Sequence, residues 1–106
     1  MKFKTLFGKL TVESPDGGEK FSLALYILES IIENEGTESI TYGIQIDKLS
    51  SDEACVLESE KICDITPDKS EIEKFTRELF DGEVEPVSLR EIVEDYVDSL
   101  AYLEAM

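Results

Sequence analysis

The chain has 106 residues, with 25 acids against 10 bases, two cysteines and no histidine. That length suits one domain and is too short for two, yet it can bury enough apolar surface to fold without disulfides or metal. A net charge of −15 disfavours direct contact with DNA, RNA or an anionic membrane, because neutralising phosphate needs Lys and Arg.

The charge is unevenly spread. Residues 1–20 carry Lys2, Lys4, Lys9 and Lys20 against Glu13, Asp16 and Glu19, a net of +1. The remaining 86 residues hold six bases and 22 acids, so basic partners are favoured there and their association would be fast and salt-sensitive. Acidity also keeps a small domain soluble. Salt adaptation is the weaker explanation, since Glu outnumbers Asp and Ile is frequent. Apolar residues make up 42% of the chain, so the high charge does not imply disorder. No stretch reaches the roughly 18 apolar residues of a membrane span. No apolar segment of signal-peptide length follows the basic start Met1-Lys2-Phe3-Lys4. On one extended strand, Cys55 and Cys63 would lie roughly 26 Å apart at about 3.3 Å per residue, too far to bridge. Free thiols and no signal segment fit a cytoplasmic protein.

Phe3 to Glu13, with Leu6, Leu10 and Val12 at even positions, reads as a first strand. The cluster Ser14-Pro15-Asp16-Gly17-Gly18 makes a hairpin turn. Phe21 to Ile31 is a second strand, placing Phe21, Leu23, Leu25, Ile27 and Ile31 on one face. Asn34-Glu35-Gly36-Thr37 turns the chain again. In the third strand Ile40, Tyr42, Ile44 and Ile46 alternate with polar residues, the cleanest period-two pattern in the chain. After a polar connection, Ala54 to Ile65 is a fourth strand with Cys55, Leu57, Cys63 and Ile65 in the apolar phase, and a bulge or bend expected over Glu58–Lys61.

From Thr66 the period becomes helical. Thr66 is the expected N-cap and Pro67 the first helical residue; Ile72, Phe75, Leu79 and Phe80 form the apolar stripe, which stops near Asp81-Gly82. Ser88 and Glu91 have capping-box spacing, and Val87 with Ile92 has staple spacing, at the start of a last helix. Its buried face is Leu89, Ile92, Val93, Tyr96, Val97, Leu100 and Leu103. The fold expected is α+β: an antiparallel β-meander of about four strands followed by two helices on one face of the sheet.

The chemistry expected is sparse. Without histidine there is no Ser-His or Cys-His pair and no His-based zinc site, and two cysteines cannot make a Cys₄ site. No phosphate-cradling glycine loop occurs, since Asp16-Gly17-Gly18 is followed by neither Lys-Ser/Thr nor a helix. No catalytic, cofactor or metal residues are therefore assigned. The best carboxylate cluster is Glu91, Glu94, Asp95 and Asp98, whose spacing puts them on one helical face. As a partner-binding surface it competes with the plainer role of a solvated helix face. Cys55 and Cys63 read as buried small hydrophobes.

Thr41-Tyr42-Gly43-Ile44-Gln45-Ile46, Val56-Leu57-Glu58-Ser59 with Ile62, Asp64 and Ile65, a helix carrying Ile72, Phe75 and Leu79, then Val84-Glu85-Pro86-Val87-Ser88-Leu89 and Ile92-Val93-Glu94-Asp95-Tyr96-Val97 resemble a family of clostridial and related Firmicutes proteins classed as a domain of unknown function. The resemblance covers roughly residues 20–103, and the Tyr-Gly pair and the Pro-x-x-Leu helix start are its most telling parts. Members of that family often carry His where Ser88 stands here, which implies that this histidine is not generally needed for catalysis. The resemblance implies a cytoplasmic protein with strands before helices, and transfers no functional residues.

Three readings follow. The first is a non-enzymatic interaction or regulatory module that binds a basic protein. The second is a mimic of nucleic-acid charge that inhibits a DNA- or RNA-binding protein. The third is a small hydrolase working with carboxylates or a divalent cation. A homodimer is compatible with each, through an exposed strand edge or through Tyr102 and Leu103 of the last helix.

Overall fold

The computed structural model describes residues 2–13 and 17–105, with side chains from 3 to 99 apart from the gap. Four strands, β1 (Lys2–Glu13), β2 (Lys20–Asn34), β3 (Thr37–Leu49) and β4 (Val56–Thr66), precede two helices, α1 (Lys69–Asp81) and α2 (Pro86–Ala105). The strands pair antiparallel in the order β1-β2-β3-β4, so the sheet is a meander and the fold α+β, as the patterning predicts. Of the expected turn at 14–18, Ser14, Pro15 and Asp16 lie outside the described residues. The turn between β2 and β3 is a two-residue hairpin: Asn34 pairs with Thr37, and Glu35 and Gly36 both have positive φ, the backbone that matches strand twist.

One face of the sheet is covered by both helices. Leu23 and Leu25 of β2 and Ile44 and Ile46 of β3 are fully buried there against Ile72, Phe75 and Leu79 of α1 and Leu89 and Val93 of α2. Two ring contacts lock the helices in place. Phe7 meets Phe80 edge-on at 5.9 Å, and Phe75 stacks on Tyr96 at 4.1 Å with the planes 8° apart. Stacked and edge-on pairs contribute about 0.5–1.5 kcal/mol beyond the area they bury. Among the described residues, no helix covers the opposite face of the sheet. There Lys4 lies over the Tyr26 ring at 4.5 Å, and the Asp47 carboxylate accepts from Gln45 Nε2 and Ser59 Oγ.

Three irregularities shape the sheet. In β1 the register skips Phe7, between the pairs Leu6–Tyr26 and Gly8–Leu25, and Phe7 turns toward α1. In β4 the pairs Lys48–Glu58 and Leu49–Val56 leave Leu57 without an opposite residue, and it is 54% exposed. Between Tyr42–Thr66 and Ile44–Ile62, three β4 residues, Cys63, Asp64 and Ile65, stand opposite Gly43 alone. Asp64 takes a positive φ in this bulge and its carboxylate accepts from the Thr41 hydroxyl at 2.5 Å. A Cβ on Gly43 would lie 2.8 Å from the Cys63 Cα and closer still to the Ile62 carbonyl oxygen, so only glycine admits this approach.

These bulges correct the reading of β4. Glu58–Lys61 is in regular register, and the irregularities flank it. The two bulges also break the strand's phase: Ile62 and Ile65 face the core, Leu57 and Cys55 are exposed, and Cys63 is half-buried near Lys4, Leu28 and Gln45 on the helix-free face. Both cysteines are free, as expected, but neither is the buried hydrophobe its spacing suggests.

Both helix starts also differ from expectation. Thr66 still belongs to β4, paired with Tyr42, and the N-cap of α1 is Asp68, whose carboxylate accepts the N–H groups of Ser70 and Glu71 at 2.9 and 3.2 Å. The Ser70 hydroxyl, which also donates to it, and then these backbone bonds favour the charged carboxylate and hold its pKa below the usual value. α2 begins at Pro86, where the fixed φ suits a first helical residue, and the Ser88 N–H bonds the Glu85 carbonyl. Ser88 thus lies inside the first turn rather than capping it, and Val87, 79% exposed, makes no staple.

Candidate functional site

α2 contacts β4 and β3, and so lies over the end of the sheet farthest from β1. Leu89 and Val93 point into the core while Ile92 and Tyr96 are half-buried. This orientation turns Glu91, Glu94, Asp95 and Asp98 outward, and all four are exposed. The sequence-predicted cluster is therefore brought together on one surface. None of the four is ion-paired with a described residue. Arg90 is the helix's only base, and it leans from α2 toward Glu60 of β4 at 3.4 Å. The outer face of α2 thus carries four exposed carboxylates without an ion-pair partner among the described residues. Of the dimer candidates, the side chains of Tyr102 and Leu103 lie outside the described residues, whereas Val56 and Leu57 of edge strand β4 are exposed.

α2 is held rigidly beneath that face. The Tyr96 hydroxyl donates to Glu71 Oε2 of α1 at 3.0 Å. Burial first, and then this hydrogen bond, favour the neutral phenol and push its pKa up to about 12. Lys48 of β3 ties in the chain between the helices: its ammonium donates to Glu85 at 2.9 Å and lies 4.4 Å from the Phe21 ring centroid. The Glu85 bond favours the charged ammonium and raises the Lys48 pKa.

Cations gather on the other side of the molecule. Lys4 and Lys9 stand on β1, and Lys9 reaches Glu53 at 2.8 Å. Lys69, Lys74 and Arg77 line a cleft between α1 and the sheet, which sequence reasoning missed because its walls come from four separate elements. A separate groove of about 720 Å³ between the start of β2 and the β3–β4 loop is lined by Lys20, Phe21, Lys48 and Leu57 among others. Among the described residues no three Cys, Asp or Glu side chains converge as metal ligands would, and no helix is long and apolar enough to cross a membrane.

Comparison with the curated proteins and with the solved structures gives no match. A family of unknown function, DUF6514, matches residues 4–99, from the first strand through most of α2. Over nearly its whole length, the chain belongs to that family.

Proposed function

We propose that the protein is a non-enzymatic interaction or regulatory module that recruits a basic protein partner through the outer face of α2. The observation that carries this reading is the set of four exposed, unpaired carboxylates at Glu91, Glu94, Asp95 and Asp98 on a helix whose other face is fixed in the core. Rigid mounting matters, because a pre-ordered helix has less conformational freedom to lose on binding. Complementary charge would steer a basic partner to this face and away from the cationic β1 side. Two free thiols suit a reducing compartment, and we place the protein in the cytoplasm.

Affinity capture with the full chain at low and moderate salt tests the reading. The partners recovered should be basic and fall away as salt rises. They should also fall away with the quadruple variant Glu91→Gln, Glu94→Gln, Asp95→Asn, Asp98→Asn. A recovered set that ignores both salt and these substitutions would refute it.

A further inference from the structure

The cleft beside α1 contrasts with the acidic outer face of α2. It is an open cleft of about 660 Å³, a size within the range of small-molecule sites. Phe7 of β1, Ile27 of β2 and Tyr42 of β3 form its half-buried floor, and Lys69, Lys74 and Arg77 of α1 form one wall. Three of the chain's ten bases thus meet in one concavity, against two carboxylates there, Glu29 and Glu73. In a chain with 25 acids a cation has many available partners, yet none of these three is ion-paired with a described residue.

Arg77 is also held in place. Its guanidinium lies 4.9 Å from the Phe7 ring centroid and 5.7 Å from that of Phe80, and those two rings brace each other edge-on. Attraction to the rings holds the guanidinium beside them without using its N–H donors, and no side-chain hydrogen bond within the described residues claims those donors, so an oxyanion can take them. Lys74 is three residues before Arg77 on the same helix, close enough for both to serve one anionic group. The apolar floor gives the remainder of such a ligand a surface to cover.

We propose that this cleft binds a small organic anion: a carboxylate or phosphate held by Lys74 and Arg77, carried on an apolar or aromatic body that packs on Phe7, Ile27 and Tyr42. The site is independent of the acidic α2 face and of any partner there.

The test uses two dyes with the same rings, 8-anilinonaphthalene-1-sulfonate and its uncharged counterpart N-phenyl-1-naphthylamine, titrated into the full chain by fluorescence and by amide chemical shift. The anionic dye should bind about tenfold more tightly than the neutral one, the worth of one charge-assisted contact. Its shifts should centre on Phe7, Ile27, Tyr42, Lys74 and Arg77. Inorganic phosphate or acetate should displace it, and the stronger competitor identifies the oxyanion preferred. Lys74→Gln should weaken anionic-dye binding severalfold with an unchanged thermal midpoint. Arg77→Gln should do the same and Arg77→Lys restore part of it; should loss of the Phe7 and Phe80 stack unfold the Arg77 variants, the exposed Lys74 variant decides. Equal affinity for the two dyes, no displacement by either competitor, or shifts gathered around Lys4 and Lys61 on the helix-free face would overturn the proposal. So would wild-type binding by Lys74→Gln.

Discussion

Replacing Gly43 by alanine should destabilise the fold through one specific contact, the approach of the β4 bulge to β3. The added Cβ would stand 2.8 Å from the Cys63 Cα and nearer to the Ile62 carbonyl, both backbone atoms that cannot swing aside as a side chain would. Forcing apart a well-packed site costs about 1–3 kcal/mol, and immovable backbone puts this case at the upper end. Removing a glycine from a strand returns about 0.5–1 kcal/mol, because alanine loses less backbone freedom on folding. The net loss is about 2 kcal/mol, which for a chain of this size lowers the thermal midpoint by roughly 10 °C. Gly36→Ala is the matched control. Gly36 has nothing within 4 Å of a built Cβ but a φ of 81°, so its cost is backbone strain alone. Asparagine tolerates that φ, so Gly36→Asn should recover much of the control's loss, while Gly43→Asn should recover nothing. Thermal melts and urea midpoints followed by circular dichroism measure all four variants. A Gly43→Ala midpoint within a degree or two of wild type would refute the close packing of the bulge.

Two pH-linked predictions and their variants follow from the helix contacts. Asp68 has a lowered pKa, so its contribution is present above the unfolded-state value and is lost as pH falls through the folded one; Asp68→Ala should lower the urea midpoint at neutral pH and flatten that part of the acid decline, whereas Asp68→Asn should keep most of the cap. Tyr96 has a raised pKa, so its contribution is complete below about pH 10 and is lost as pH rises through about 12. Phenolate absorbance should show Tyr96 titrating at about pH 12, and Tyr96→Phe should remove that transition and the matching part of the alkaline decline. Tyr96→Phe should also cost about 0.5–1.5 kcal/mol at neutral pH, since the Glu71 hydrogen bond goes while the Phe75 stack stays.

Strands β1 to β3 are readable because each shows period two between turn formers, although the bulge at Phe7 takes Leu6 off the face of Leu10 and Val12, and α1 is readable because Ile72, Phe75 and Leu79 recur at helical spacing. β4 defeats the same logic. Periodicity assumes unbroken register, and two bulges shift the strand's phase, so Leu57 and Cys63 leave the face that their spacing assigns them. The helix starts fail for a different reason. Thr66 and Ser88 are sound capping residues by type, but β4 pairing claims the first and Pro86 starts its helix early enough to enclose the second. The acidic face is visible in sequence because four residues on one helix define it. The cationic cleft is not, because Phe7, Ile27, Tyr42 and Arg77 meet only after the meander closes beneath α1.

The outer face of α2 is the centre of the functional account, and a footprint tests it most directly. Amide shifts of the full chain would be followed on titration with a short lysine-rich peptide at two ionic strengths. Perturbations should gather on Glu91, Glu94, Asp95 and Asp98, weaken with salt, and vanish in the variant lacking those four charges. Perturbations spread evenly over the molecule's many carboxylates, or undiminished in that variant, would contradict it.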